Sequence, residues 1–419
     1  MRALRFATTL YANRLAVAYH GYLRGDPMSR LHLAPGRRDP YAIYDGLRAE
    51  GDMAPTRLGN YVTPSHRVCD TVLRDRRFGV RAADNVGPPP PGTQVDMSFL
   101  DRDPPDHTRL RRLAQPSFSP RQIAGFRPQV EQTVDKLLEE ASAAETFDLV
   151  SAFSAPLPIA VITDLLGVPD ADASRFAEHG ATFGSALDGI RSLRHAARLI
   201  EASRELEDVF TRLVATRRGL PAGTGPDDVV GRLLAAEGDR VEAAEMMPML
   251  RLLLVAGFET TVNLIGNAVG ALLDHPDQWA DLCADPAGLA ERAIEETLRW
   301  DPPVQRTARC ALEDVEVAGT VVRRGQFVVT LLGAAGRDPA VFADAARFDI
   351  HRVPEADHLA FSSGIHYCVG APLARLEATV ALRRLAERMP GLHRAGPLRR
   401  RRSTLIRGPI HFPVAHQIR

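Results

Sequence analysis

The chain has 419 residues, of which 45% are apolar and 25% charged, and its 52 basic residues balance its 52 acidic ones. This composition is typical of a soluble globular protein, and a net charge of zero gives no reason to expect nucleic-acid binding. Its four cysteines are too few and too far apart for a disulfide scaffold or a zinc site. We therefore expect a protein of a reducing, cytoplasmic compartment.

The N-terminal segment, residues 1–36, is amphipathic and rich in arginine. Arg14 interrupts its apolar run, which is therefore too short to span a bilayer. We expect a helix packed on the body of the protein, and a helix lying on a membrane surface is the alternative. The strongest linker candidate beyond it is GPPPPG at 87–92, which predicts only a short stiff loop. Residues 37–419 are therefore predicted to form a single large domain.

Most of the chain shows apolar residues at helical spacing. Strand patterns are few: segments 315–322 and 326–332 predict a hairpin, and short strands are expected around residue 61 and in the C-terminal IHFPV. The predicted fold class is therefore mostly α with small β-sheets. The predicted helices cover 121–141, 171–182, 193–217, 242–273, 276–283, 287–299 and 371–388.

The segment DPPDHTRLRRL, residues 103–113, predicts a helix that begins at its two prolines. His107 and Arg111 are four residues apart and therefore share one helix face. Two interpretations stand: a solvated basic face, or a pair of donors directed at a buried anion. Arg309 is a further arginine, in a segment that turns towards a strand.

The longest predicted helix, 242–273, is apolar on nearly every face, as expected of a helix buried in a large protein. Its centre reads AGFETT, residues 256–261. Gly257 lowers helix propensity by about 1 kcal/mol relative to alanine, and a buried Glu259 is costly unless it is paired or neutralised. Either two helices pack closely here around a hydrogen-bonded glutamate, or the helix carries a notch for a ligand.

Two arginines are predicted to surround one buried glutamate. Glu296 and Arg299 lie three residues apart on one helix face, and Arg347 follows in AARFDIHR. An isolated pair with the spacing of Glu296 and Arg299 is commonly solvated. The three groups together would form a paired cluster that fixes geometry more than it adds stability.

The stretch FSSGIHYCVG, residues 361–370, places one cysteine in a turn flanked by glycines. Cys368 lies just before a helix that begins near Pro372. Free backbone N–H groups at a helix start stabilise a thiolate, and Gly364 and Gly370 are predicted to leave room for a large flat ligand. A thiolate held in this way is a suitable ligand for a haem iron.

The positions Phe361, Gly364, Cys368 and Gly370, taken together with AGFETT, ETLR and DPPDHTRLR, resemble the cytochrome P450 family. The resemblance covers most of the chain and points to soluble actinobacterial members, a group that includes polyketide-tailoring enzymes. It implies a cytochrome P450 fold in one large domain, with haem b as the cofactor.

The resemblance also implies a role for each matching residue. Cys368 is the expected axial ligand of the haem iron, and Glu259 and Thr260 are the expected acid–alcohol pair that delivers protons. The glutamate–arginine cluster matches one that lies behind the haem. The expected haem contacts are the propionate-binding residues His107, Arg111, Arg309 and His366, and further Ala256, Gly257, Phe361, Gly364, Cys368 and Gly370.

The implied activity is that of a haem-thiolate monooxygenase, which inserts one oxygen atom of O2 into a C–H or C=C bond of a largely apolar small molecule. A polyketide, a macrolide or a lipid-like compound is the expected substrate. The expected electron donors are a ferredoxin and its reductase, and the expected oligomeric state is a monomer. A haem-binding homologue without oxygenase activity and a peroxide-driven oxygenase are the alternatives, and the presence of Glu259 and Thr260 disfavours both.

Three further predictions concern the surface and the substrate pocket. Arg109, Arg112 and Arg375 are candidates for a positive patch that binds the electron donor, with an ordinary solvated face as the alternative. The run Arg399–Arg402 is interpreted as a solvated loop in preference to a docking site. Ser362 stands where the family frequently has glycine. Candidates for the substrate pocket, each with core packing as an equal alternative, are Met97, Phe99, Leu100, Phe183, Leu252, Ala256, Val304 and Gln305.

Overall fold

Helices form the body of the molecule, as the sequence predicts. The computed structural model describes residues 8, 11, 12, 14–57, 59–81, 96–168, 178, 179, 182, 185, 192–221 and 228–416. The α-helices in this part of the chain are Pro27–Leu31, Ala34–Arg38, Tyr41–Glu50, His66–Arg74, Asp106–Ala114, Pro120–Ala124, Arg127–Ser142, Pro156–Leu166, Leu193–Arg218, Val229–Ala235, Ala243–Asp274, Pro276–Ala284, Pro286–Trp300, Leu332–Ala335 and Ala371–Arg388.

The helix Ala243–Asp274, which we call the central helix, holds the core together. A capping box starts it, in which the side chains of Glu242 and Glu245 each accept from the other's backbone N–H. Its apolar residues join one large cluster with those of the helices Pro156–Leu166 and Ala371–Arg388. It is long and apolar enough to cross a membrane, but 83% of its most apolar window is buried inside the molecule. It is therefore a core helix.

The strands form small sheets, which confirms the predicted fold class. Tyr61–Thr63 and the C-terminal strands lie where the sequence predicts them. The largest sheet has the strand order Ala54–Pro55, Tyr61–Thr63, Phe327–Thr330, Thr307–Ala311 and Phe78–Gly79. The smaller sheets are Thr146–Asp148 with Pro413–Ala415 and His393–Arg394, Val315–Val317 with Thr320–Val322, and Arg399–Arg400 with Pro409–His411.

The predicted hairpin between 315–322 and 326–332 is wrong. Val315–Val317 pairs with Thr320–Val322, and the turn between them has positive φ at both central residues, Ala318 (+49°) and Gly319 (+72°). A two-residue turn of this kind matches the right-handed twist of the flanking strands. The later strand instead pairs with Thr307–Ala311 in the five-stranded sheet.

The predicted helix 121–141 is interrupted. Gly125 and Phe126 separate Pro120–Ala124 from Arg127–Ser142, and a proline in the first turn fixes the start of the second helix. The predicted helix 171–182 lies almost entirely outside the described residues. The other predicted helices agree with the structure to within one or two residues at each end.

Among the described residues of the N-terminal segment, the later ones pack on the body. Met28 and Leu31 are buried in a cluster that also contains Tyr44 and Leu47. The earlier part leaves large apolar side chains exposed, and the domain boundary after residue 36 and the alternative of a membrane-surface helix both stay predictions. These exposed residues are Tyr11, Leu15, Tyr19, Tyr22 and Leu23.

Candidate active site

Cys368 lies in a turn that leads directly into the helix Ala371–Arg388. Its backbone N–H donates to the Phe361 carbonyl over 2.9 Å, which folds the turn back on itself. Burial raises the pKa of the Cys368 thiol, while the backbone N–H groups of Gly370 and Ala371 at the helix start act in the opposite direction. A cation bound to the sulfur shifts this balance towards the thiolate.

Gly364 and Gly370 differ in what a side chain at each position would contact. Gly364 has a φ of +68°, and a Cβ there would lie 2.4 Å from the Leu73 carbonyl oxygen. Close contact with the end of the helix His66–Arg74 therefore demands glycine, and the prediction that Gly364 clears space for a ligand is wrong. At Gly370 a Cβ would meet only the Cys368 sulfur, at 4.0 Å, so ligand clearance stays a prediction there.

Basic side chains cluster beside the cysteine turn. The rings of His107 and His366 are 4.4 Å apart, and Arg111 donates to the Tyr367 carbonyl over 2.5 Å. Burial and the neighbouring cations lower the pKa of His366 to about 3, and burial lowers the pKa of Arg309 to about 10.

Among the described residues, the side chains of His107, His366 and Arg309 form no hydrogen bond or ion pair with a carboxylate, although the charge of Asp103 acts on His107 and Arg309. Both ring nitrogens of His107 and Nε2 of His366 are buried and have no hydrogen-bond partner among the described residues. Arg309 is 5% exposed, and within the described structure its side chain donates to neighbours on its own strand, the Thr307 hydroxyl and the Ala308 carbonyl. Buried donors left in this state are costly. The cluster therefore favours the second interpretation of His107 and Arg111, donors directed at a buried anion, which stays a prediction.

Glu259 and Thr260 have different surroundings on the central helix. Glu259 is 3% exposed and forms an ion pair with Arg401. The Thr260 hydroxyl donates to the Ala256 carbonyl over 3.1 Å. Thr260 is partly exposed and Ala256 is exposed, although most of the helix around them is buried. The central helix therefore borders open space at these two residues.

Gly257 serves helix packing. A Cβ at this position would lie 2.8 Å from the Cδ1 of Ile162 on the helix Pro156–Leu166. Its missing side chain therefore faces another helix and not the open space beside Ala256. The close-packing interpretation therefore accounts for the glycine at this position, and the predicted contact of Gly257 with the cofactor stays a prediction.

The buried glutamate cluster exists, but its second arginine differs from the predicted one. Glu296 accepts two bonds of 2.7 Å from Arg299. Arg352 is 10% exposed and its Nε lies 3.5 Å from Glu296, whereas the Arg347 side chain is 66% exposed. The Arg347 carbonyl points inward and accepts from Arg299 over 2.8 Å, so its side chain is directed to solvent. The prediction of Arg347 as a side-chain member is wrong.

Known proteins with this arrangement identify the family. The family model for Cytochrome P450 matches residues 288–388, a range that includes Glu296 and Cys368. The chain is 39% identical over 417 residues to "Putative cytochrome P450 140" of Mycobacterium tuberculosis, covering 95% of this chain and 94% of that protein. The chain belongs to the cytochrome P450 family. It is also 40% identical over 318 residues to the 6-deoxyerythronolide B hydroxylase of Saccharopolyspora erythraea, covering 74% of this chain and 76% of that protein.

A solved P450 structure confirms the fold. P450BioI, in complex with an acyl carrier protein ligated to hexadec-9Z-enoic acid, superimposes with a TM-score of 0.82 at 34% identity, covering 91% of this chain and 98% of that one. Because relatives that match most of the chain include named P450 hydroxylases, this P450 is an oxidoreductase.

The P450 family implies a haem with a cysteine thiolate ligand, and the residues of this chain fit that group. The unpaired nitrogens of His107 and His366, together with Arg309, match the two carboxylates that a haem carries. The open space beside Ala256 lies on the central helix, and Cys368 is a free cysteine. A buried cluster of donors without acceptors is difficult to explain for a protein that binds no anionic group.

Ser362 in this P450 adopts the backbone conformation that glycine would favour. Its φ is +63°, and its amide donates to the Leu359 carbonyl over 2.8 Å. The buried hydroxyl has no hydrogen-bond partner in the described structure. The left-handed conformation costs a residue with a Cβ roughly 1–2 kcal/mol, and the serine gains no hydrogen bond in return.

The predicted positive patch is largely neutralised by ion pairs. Arg109 bonds to Glu245 over 2.7 Å, and Arg375 bonds to Glu295 over 2.7 Å. The Arg375 guanidinium also stacks 4.6 Å from the Phe361 ring. Arg375 and Phe361 therefore brace the cysteine turn, and this arrangement corrects the prediction of a free basic surface at Arg109 and Arg375.

The candidates for the substrate pocket differ in how deeply their side chains are buried. Phe99 and Leu252 are buried in the main core, and the Phe99 ring lies 6.4 Å from that of His107. Met97 packs partly on the same core, while Leu100 is 42% exposed. Phe183 lies outside the described residues.

Gln305 is not a pocket residue, and this prediction is wrong. Its side chain is buried and donates to the Pro302 carbonyl over 2.8 Å, and its amide oxygen accepts from the Tyr44 hydroxyl over 3.2 Å. These bonds fix the connection between the helix Pro286–Trp300 and the five-stranded sheet. The neighbouring Val304 packs partly against the cluster that contains Leu73.

Sequence reasoning missed two arginines that pair with buried glutamates. Arg401 contacts Glu259, although its run of arginines predicts a solvated loop. Arg352 ends the same octapeptide that contains Arg347, so the pattern indicated the right segment and the wrong residue.

Proposed function

We propose that this P450 is a haem-thiolate monooxygenase that inserts one oxygen atom of O2 into a C–H or C=C bond of a largely apolar small molecule. The observation that supports this most strongly is the donor cluster of His107, His366 and Arg309, which forms no ion pair among the described residues, beside the free thiol of Cys368. The acid–alcohol pair at Glu259 and Thr260 distinguishes an oxygenase from a protein that only binds haem.

Each residue then has a chemical task. Cys368 would hold the iron as a thiolate, and His107, Arg111, Arg309 and His366 would bind the carboxylates of the haem. Bound haem supplies the chemistry of O2 activation. The protein keeps the site apolar and must deliver protons to a dry space.

Proton delivery falls to the pair on the central helix. Glu259 is the acid and Thr260 carries the hydroxyl beside the open space. Because both residues are present, the haem-binding homologue without oxygenase activity and the peroxide-driven oxygenase are the less favoured alternatives. Electrons would come from a ferredoxin and its reductase in the cytoplasm.

The substrate is proposed to be a polyketide, macrolide or fatty-acyl compound. A 40% identical relative is named as a 6-deoxyerythronolide B hydroxylase, and a 34% identical one was solved with a fatty-acyl carrier protein. The Phe99 ring lies 6.4 Å from that of His107, and Leu252 lies one helical turn before Ala256. Apolar residues near the site suit a ligand with few polar groups.

The thiolate is tested by the absorption spectrum of the reduced protein with carbon monoxide. We expect the long-wavelength band of thiolate-ligated haem, and we expect Cys368→Ala to lose it. Cys283→Ala is the matched control, because Cys283 is another free and partly exposed cysteine, and it should keep the band. A wild-type protein that binds haem without this band would contradict the proposal.

The substrate class is tested by difference spectra during titration with macrolactones and with long-chain fatty acids. Displacement of a water ligand by one of these classes is the expected result. If neither class of compound shifts the spectrum of a protein that has the thiolate band, the substrate proposal alone would be contradicted.

A further inference from the structure

The acid of the proton-delivering pair is bound by the C-terminal part of the chain. Arg401 forms an ion pair with Glu259, and the two side chains are 17% and 3% exposed. The Thr260 hydroxyl does not take part, because it donates to the Ala256 carbonyl. Consecutive residues point about 100° apart on a helix, so the ion pair and the Thr260 hydroxyl occupy different faces of the central helix.

The segment 399–408, which we call the arginine segment, is fixed beside the central helix by further contacts. Arg407 bonds to the buried Asp301 over 2.7 Å, and Arg400 approaches Asp301 to 3.6 Å. Arg400 also donates to Asn267 over 3.1 Å. The segment is therefore anchored independently of Arg401, and Arg401 is free to change its contact without releasing the whole segment.

Polar residues continue along the same face of the central helix. Glu259, Asn263 and Asn267 follow at intervals of four residues, so they lie in one row. The Asn263 amide donates to the Glu259 carbonyl over 2.7 Å. At Gly408 a Cβ would lie 2.1 Å from the Asn263 oxygen, so glycine lets the arginine segment approach the row closely.

A small cavity lies on the arginine segment. Its volume is about 10 Å³, which is close to the minimum space for one water molecule. Arg401, Ser403, Arg407 and Tyr44 line it, together with residues of the N-terminal helices. Arg401 therefore contacts both the buried acid and a polar space that water can occupy.

We infer that Arg401 is a positioning residue that holds Glu259 at the arginine segment, and that water on this side of the protein supplies the proton when the ion pair opens. The inference rests on the function proposed above. Arginine keeps its proton at all accessible pH values, so Arg401 cannot pass a proton itself. While paired with Arg401, Glu259 is a carboxylate and has no proton to give. After the pair opens, the carboxylate takes a proton that bulk solvent supplies through this water, so no hydroxide is left behind, and releases it on the Thr260 side.

The ion pair is tested by a double-mutant cycle of thermal unfolding on the haem-loaded protein. Arg401→Met removes this ion pair from a buried carboxylate and should lower the melting temperature, whereas the exposed neighbour Arg402 should tolerate Arg402→Met without a shift. Adding Glu259→Gln should recover part of the loss. Additive effects, or equal melting temperatures for the two arginine variants, would overturn the inference.

The role in proton delivery is tested by the share of electrons that ends in hydrogen peroxide and by the solvent isotope effect on turnover. Arg401→Met should change both, Arg401→Lys should restore them in part, and Arg402→Met should match the wild type. The carbon monoxide band should be the same in all four proteins. Unchanged coupling and isotope effect in Arg401→Met would refute the positioning role, whereas loss of the thiolate band in the wild type would refute only the proposed function.

Discussion

Replacing Arg352 by methionine should lower the free energy of unfolding by about 2–3 kcal/mol, whereas Arg347→Met should change it by less than about 0.5 kcal/mol. Arg352 is 10% exposed and Arg347 66% exposed in their side chains. The two arginines are five residues apart in one loop, so they form a matched pair of buried and exposed guanidinium groups.

The magnitude follows from the contacts that methionine cannot make. Arg352 donates to the Ala343 carbonyl over 2.6 Å and to the Asp344 carbonyl over 3.2 Å, and hydrogen bonds from a charged donor contribute roughly 1.5–3 kcal/mol each. The full cost of breaking a buried ion pair, roughly 3–5 kcal/mol, does not apply. Glu296 keeps both bonds from Arg299 and one from the backbone N–H of Asp349 over 2.8 Å.

The assay is urea unfolding of the haem-loaded protein, followed by circular dichroism, with midpoints and slopes compared between the two variants. We expect the slope of the unfolding transition to be equal in the two variants and the urea midpoint to be lowered only in Arg352→Met. If Arg347→Met were as damaging as Arg352→Met, the assignment of Arg352 to the cluster would be refuted.

Two further substitutions test unusual environments, one in the turn that contains Cys368 and one in the helix Ala371–Arg388. Ser362→Gly should raise the free energy of unfolding by about 1 kcal/mol, because it removes the cost of a Cβ at positive φ; a loss of stability in urea unfolding would contradict this. Burial raises the pKa of Glu377 well above its usual value, and its carboxyl has no described hydrogen-bond partner. The unfolded chain ionises Glu377 at lower pH than the folded chain does, so stability falls as pH rises between the two pKa values. Glu377→Gln should therefore gain stability relative to the wild type at higher pH, and a difference independent of pH would count against a neutral Glu377.

The fold could be predicted where one local signal governs an element. The helix Ala371–Arg388 was predicted to the residue, since its apolar spacing and the proline in its first turn agree. The hairpin at Val315–Val317 was missed because its turn is Ala318–Gly319, and an alanine at positive φ is an uncommon signal. The mistake joined two strands that belong to different sheets.

The site could be predicted where its chemistry demands a residue type. A cysteine at a helix start suits a thiolate ligand, and basic donors suit anionic carboxylates, so the types and settings of Cys368 and His107 indicate their roles. The role of Arg309 comes from the resemblance to the family, and all three roles stay predictions. The arginine that pairs with the buried carboxylate of Glu296 is harder to predict, because several arginines are near one another in the sequence. Tertiary packing selected Arg352 over Arg347 by turning one backbone carbonyl inward.

The arginine segment shows why a run of charges is difficult to interpret. Arg400 and Arg401 are both partly buried, although strict alternation along a strand would place consecutive side chains on opposite faces. The strand ends at Arg400, so alternation does not determine the direction of Arg401. Arg400 donates to Asn267 and Arg401 forms an ion pair with Glu259, two residues in one row of the central helix. The burial of this run therefore depends on where the strand ends and on the polar residues of the facing helix, and the run of arginines itself carries neither signal.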